Sequence, residues 1–205
     1  MIIIVIGATG VIGSEVAKAL AAKKHDVVRA SRNGEVKVDV TDPDSIRSMF
    51  DEIGDVDAIV SCAGDAAFKP FAELTEADYQ LGLRSKLMGQ VRLAVTAKDR
   101  LRAGGSIFWP QAYSRCSQMP GSASISMVNA GLEGFVRVAA LEMPRNLRIN
   151  AVSPPWVKET LLKLGMNPTP GLASATWRKP MSRRLRACSK GRYWLRGRVS
   201  KGKLS

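Results

Sequence analysis

Residues 1–13 read MIIIVIGATGVIG. Met1 to Ile6 is an unbroken apolar run rich in β-branched side chains, the composition of a strand buried on both faces of a parallel sheet. Gly7, Gly10 and Gly13 follow at G-x-x-G-x-x-G spacing, and Ser14 to Ala22 reads as a helix. A glycine-rich passage from strand to helix brings backbone N–H groups close to a diphosphate, and the helix dipole adds positive potential there. Taken alone, the spacing also suits an ordinary βα turn. The rest of the chain decides between the two.

Asp26 to Ser31 (DVVRAS) reads as the second strand, followed by a turn at Arg32-Asn33-Gly34. In dinucleotide-binding folds the end of this strand meets the adenosine ribose. A carboxylate there accepts from the 2′-hydroxyl of NAD, while an arginine favours the 2′-phosphate of NADP. Ala30, Ser31 and Arg32 supply no carboxylate, and a guanidinium fork matches phosphate geometry. Ser31 and Arg32 therefore indicate NADP, with NAD still open. The other reading of Arg32 is a solvated surface side chain.

Glu35 to Val40 predicts a short third strand. Thr41 or Asp42 then caps a helix with Pro43 in its first turn. Ala58 to Cys62 is a fourth, buried strand. Leu81 to Leu101 has helical apolar spacing at Leu83, Leu87, Val91 and Val95. Gly104 to Ser106 break it, and Ile107 to Trp109 begin a fifth strand. Ser124 to Glu142 is a second long helix, and Arg148 to Ser153 a sixth strand before a loop and short helix at 154–165. Strands alternating with helices at this spacing predict a doubly wound α/β fold with a parallel sheet. The ligand should sit beyond the carboxyl ends of the strands. Gly7–Ile12, Arg32, Cys62–Gly64, Trp109–Ala112 and Pro154–Thr160 would face that edge.

At 205 residues a single domain is expected, large enough for a substantial core. Cys62, Cys116 and Cys188 are far apart and form no C-x-x-C, so a reducing compartment, the cytoplasm, is expected, with no disulfide framework and no metal site. The apolar start is too short for a membrane span and lacks a basic leader region, so no membrane partner or signal peptide is expected. The formal net charge of +13 is unevenly spread: residues 166–205 hold 11 of the 31 Lys and Arg and none of the 18 Asp and Glu. Residues 1–165 are nearly neutral.

Over residues 1–165 the chain resembles the short-chain dehydrogenase/reductase family. GATGVIG (7–13), VDVTD (38–42), SCAG (61–64) in place of the family's N-A-G, SKLMGQ (85–90) and RINAVSPPWVKET (148–160) carry the resemblance in the family's order. It implies a Rossmann-like three-layer α/β/α domain. It also implies cofactor contacts at Gly7, Thr9, Gly10, Val11, Ile12, Ser31, Arg32, Asp39, Val40, Ala63 and Gly64, with Pro154 and Val157 near the nicotinamide. The implied reaction is hydride transfer between the nicotinamide and a small carbonyl or alcohol. Relatives pair subunits through the helices at 81–101 and 123–142, so a homo-oligomer is compatible with the sequence.

The family's catalytic side chains are missing. Its Tyr-x-x-x-Lys positions align with Ile125 and Asn129, its helix Asn with Lys86 and its Ser with Gln111. An isoleucine donates no proton, and Asn129 carries no charge. Lys86 has two readings. It is a relocated catalytic cation whose pKa burial can shift, or it is a solvated lysine on an amphipathic helix. The expectation is thus an NADP-dependent short-chain oxidoreductase impaired in catalysis. The alternative is a sensor that binds NADP(H) without turnover.

Two stretches fit the pattern poorly. FWPQAYSRCSQ (108–118) stands where the family has a strand and a small-residue loop, and Pro110 is awkward in a central strand. Suitable codons for Phe108 to Ser114, read from the third base of Phe108, encode Leu-Ala-Ser-Gly-Ile-Leu, which suggests two compensating frame shifts. The basic tail at 166–205 has the composition of a disordered segment. An uncompensated shift near Pro170 would explain it and is favoured, because a missing last strand leaves a sheet edge unpaired. The competing reading is a nucleic-acid-binding tail with Tyr193 and Trp194 stacking on bases. Nucleic acid is therefore not the expected partner.

Overall fold

The computed structural model describes residues 1–110, 120–152, 158–163 and 167. Among them, six strands form one sheet in the order β3-β2-β1-β4-β5-β6. The strands are β1 (Ile2–Ile6), β2 (Asp26–Ser31), β3 (Val36–Lys37), β4 (Val56–Ser61), β5 (Leu101–Pro110) and β6 (Arg148–Val152). Every pairing is parallel. The chain winds outward from β1 through β2 to β3, then returns to β4 on the other side of β1 and winds the opposite way. That reversal opens a crevice between β1 and β4 at the strands' carboxyl ends, where ligands of open α/β sheets bind. The chain is a Rossmann-like α/β protein.

The α-helices among the described residues are α1 (Val11–Ala21), α2 (Pro43–Ile53), α3 (Glu76–Leu81), α4 (Met88–Arg100), α5 (Ala123–Glu142) and α6 (Lys158–Lys163), with a short 3-10 turn at Phe71–Glu73. Two apolar clusters cover the faces of the sheet. Ile4 and Ile6 join one with residues of α2, α4 and α5. Ile3 and Val5 join the other with Val16, Ala17 and Leu20 of α1. This double burial explains the unbroken apolar run of β1, since a strand with one wet face would alternate.

Three expected elements differ. The third strand shrinks to Val36–Lys37, and Val38 and Val40 instead bury as the chain turns toward α2. The helix expected from Leu81 to Leu101 is broken: α3 ends at Leu81, a π-turn occupies Gly82–Leu87, and α4 runs only from Met88 to Arg100. The wide turn shifts the helical phase. Val95, expected on the apolar stripe, is 56% exposed, while Leu93, Ala94 and Ala97 take the buried face. Leu101 already belongs to β5 and pairs with Val56; Ser106 is next in register, with Ala58, so Gly104 and Gly105 lie in a bulge. Pro110 ends β5 opposite Val152. At the last position of a strand its missing N–H does little harm.

Residues 111–119 and 168–205 lie outside the described residues. So do the boundary expected at 165/166, most of the segment read as frame-shifted, and the basic tail. Among the described residues, no helix is long and apolar enough to cross a membrane.

Candidate functional site

A cleft of about 240 Å³ opens at the switch between β1 and β4. Of the residues singled out from the sequence, Gly7, Thr9, Gly10, Ser31, Arg32, Asp39, Val40, Ala63 and Gly64 all line it. Val11 and Ile12 open α1 directly after Gly10, and their side chains pack on the α1-side cluster. Pro154, Val157 and Gln111 lie outside the described residues.

The floor of the cleft is backbone. Gly7 has φ +77°, a conformation that suits glycine. The Gly7 and Ala8 N–H groups donate to the Ala30 carbonyl at 2.8 and 3.2 Å, which ties the turn to β2. A Cβ on Gly13 would lie 2.1 Å from the Gly7 carbonyl oxygen, so α1 can reach the turn only with glycine there. Gly10 caps α1 without a side-chain hydrogen bond, and the first turn carries no acidic residue. The helix terminus is thus free of side chains that would compete for an anion, and a dinucleotide diphosphate fits it.

One end of the cleft is charged. Arg32 Nη2 lies 3.5 Å from Asp65 Oδ2, with the side chains 68% and 58% exposed. The Asp39 carboxylate accepts from the Thr41 N–H and Oγ1, each at 2.8 Å, while the Asp39 N–H donates to Ser45 Oγ at 2.9 Å. The two Thr41 donors hold the Asp39 carboxyl below the usual carboxylate value, and the nearby Arg32 charge acts the same way. Ser31 Oγ is buried at this end without a hydrogen-bond partner.

The third wall follows β4. The Asp65 N–H donates to Ser85 Oγ at 2.9 Å, and Gln90 Nε2 donates to the Ala63 carbonyl at 2.7 Å. The π-turn and α4 therefore clamp the 63–65 segment. Gly64 has φ +117°, and a Cβ there would stand 2.9 Å from Lys86 Cα. Lys86 is half-buried behind this wall, which corrects the reading of it as a solvated surface lysine. Burial pushes its ammonium pKa down, while Asp65 and Cys62 draw it back up. Burial also pushes the Cys62 thiol up to about 12, against the opposing charge of Lys86.

On α5, Ile125 is half-buried and Asn129 is buried at 1% exposure. Neither supplies an acid. Among the described residues no group of three or more His, Cys, Asp or Glu is placed to hold a metal ion. Sequence reading missed Asp65 and Ser85. The signal for Asp65 was its place directly after SCAG, the segment that closes the cleft. Ser85 could not be found, because its position depends on the π-turn.

Comparison with known proteins places these features in context. A family model described as Enoyl-(Acyl carrier protein) reductase matches residues 7–193. The hydroxynaphthalene reductase-like protein Arp2 of Metarhizium brunneum is 32% identical over 134 residues, covering 62% of this chain and 50% of that protein. The chain thus spans about half the length of the curated relatives it matches. The crystal structure of protein lin1944 from Listeria innocua superposes with a TM-score of 0.86 at 35% identity, covering 95% of this chain and 98% of that one. A small-chain dehydrogenase solved in complex with NADPH has a TM-score of 0.72 at 28% identity, covering 90% and 80%.

Proposed function

Since the chain belongs to the short-chain dehydrogenase/reductase family, we propose that it is an NADP-dependent oxidoreductase acting on a small carbonyl or alcohol. The observation that carries this reading is the cleft itself, with an uncapped helix terminus at its floor and Arg32 at its rim. Bound NADP(H) supplies or receives the hydride. The amides at the start of α1, Val11 and Ile12, hold its diphosphate, on a turn that Gly7 and Gly10 shape. Ser31 and Arg32 take the 2′-phosphate, Asp39 and Val40 border the adenine, and Ala63 and Gly64 back the ribose. Pro154 and Val157 meet the nicotinamide.

Lys86 is the proposed catalytic cation. Its burial lowers its pKa, and an acid is most effective when its pKa approaches the working pH. The second reading is an NADP(H) sensor without turnover, and Ile125 and Asn129 favour it, since neither can pass a proton. Residues 1–165 form the nucleotide-binding unit in either case, with 166–205 as a basic extension. The free thiol of Cys62 suits the reducing environment of the cytoplasm. Exposed Met88 and Val95 on α4, and Met127, Val138 and Leu141 on α5, support a second copy of the chain as a partner.

Fluorescence titration tests the binding step. NADPH is expected to bind more tightly than NADH, and Arg32→Ala to shrink that gap by about 1–2 kcal/mol, the size of one charge-assisted contact. Equal affinities in the parent protein would remove Arg32 from its assigned role. NADPH oxidation against a panel of small ketones and aldehydes then separates enzyme from sensor.

A further inference from the structure

The adenosine end of the cleft has two charged walls. Arg32 hangs from the end of β2. Asp65 hangs from the segment after β4, and their side chains approach to 3.5 Å across the opening. Asp65 is fixed through its main chain, by the bond from its N–H to Ser85 Oγ and by the packing of Gly64 on Lys86. Its carboxylate is nonetheless 58% exposed and lines the cleft. The other carboxylate of the cleft, Asp39, takes both Thr41 donors on Oδ1, which fixes it against its own loop. Asp65 is the cleft carboxylate that faces Arg32, and it is open to a ligand.

We propose that Asp65 is a specificity-determining residue. It accepts hydrogen bonds from the hydroxyls of an unphosphorylated adenosine ribose and opposes a 2′-phosphate. The carboxylate missing from the end of β2 is thereby supplied from the opposite wall. An exposed ion pair at this distance is weak, so a ligand opens it readily. An unmodified ribose donates to Asp65 and leaves Arg32 in place. A 2′-phosphate binds Arg32 and then faces Asp65 as a like charge. The preference for NADP(H) is accordingly smaller than Arg32 alone would create, and the two residues set the balance together. This inference rests on the dinucleotide reading of the cleft.

The test is titration of the full chain and of Asp65→Asn, Asp65→Ala and Arg32→Ala with NADH and with NADPH, read by fluorescence. Both Asp65 variants should weaken NADH by about tenfold, the loss of one hydrogen bond to a charged acceptor, and tighten NADPH severalfold. Arg32→Ala should move the ratio the opposite way. Parent protein that binds both nucleotides, with an NADPH-to-NADH ratio unmoved by either Asp65 variant, overturns the role of Asp65 and leaves the dinucleotide reading intact. Parent protein that binds neither nucleotide overturns both.

Discussion

The two halves of the cleft rim are made of different material. From the β1–α1 turn to the end of β2, the surface is mostly backbone: the Gly7–Gly10 turn, the uncapped start of α1 and the Ala30 carbonyl that anchors them. The half along the 63–65 segment and the π-turn offers side chains, Asp65 and Ser85, with Lys86 behind Gly64; in sequence, Lys86, Ile125 and Asn129 align with the family's catalytic positions. A site made of amides survives any substitution that keeps the backbone path. A site made of side chains loses its chemistry with one replacement. The chain can therefore keep the fold and the cradle of its family while departing from it in reactive groups.

The same substitution in the two halves should have opposite signs. Gly13→Ala places a methyl against the Gly7 carbonyl oxygen, and backbone must move to admit it. Unfolding in urea should show a loss of about 3 kcal/mol, at the upper end for overpacking. Gly134→Ala on α5 meets nothing within 4 Å and should stabilise by up to about 1 kcal/mol, because alanine suits a helix interior. Equal effects at both positions would break the contrast.

Restoring the side-chain half is the next test. The double variant Ile125→Tyr, Asn129→Lys returns a proton donor and its cation one helical turn apart on α5. NADPH oxidation with a ketone should rise by about tenfold, below the full range of general acid catalysis because other family groups remain absent. Thermal melting must accompany the assay, since Asn129 is buried and a lysine there brings a charge into that site. A folded double variant with no gain in turnover would favour the sensor.

What the sequence disclosed divides along the same line. The β1 run and the glycine spacing were legible because buried parallel strands and close backbone approach each demand particular residues. DVVRAS and RINAV were legible from β-branched content and flanking turns, and their ends fell within a residue of the observed strands. The π-turn at Gly82–Leu87 was not legible. Leu83 and Leu87 continue an ordinary helical spacing, and the wider turn packs against residues 64–66 and α5, contacts that spacing does not disclose. Because that turn went unseen, the placement of Ser85 and Lys86 went unseen too. Asp65 directly follows SCAG, but its pairing with Arg32, 33 positions earlier in the chain, was hidden.

Lys86 sits where the two halves meet, and its protonation gives the smallest and sharpest of these effects. Burial lowers its pKa from the ordinary lysine value of 10.5, with Asp65 and Cys62 pulling the other way. In the unfolded chain it keeps its proton up to 10.5. Between the folded value and 10.5 the unfolded state therefore binds more protons, and stability rises with pH across that window. Below the folded value the burden of a half-buried ammonium is present in full. Lys86→Met keeps the length of the stem and removes the charge, so its melting temperature should exceed the parent's at neutral pH, and the difference should fade as the pH climbs toward 10.5. The Cys62 thiol, pushed up to about 12, stays neutral throughout and does not disturb the reading. A difference that stays constant from neutral pH to 10.5 would mean that the ammonium reaches solvent and that the wall behind Gly64 is not closed around it.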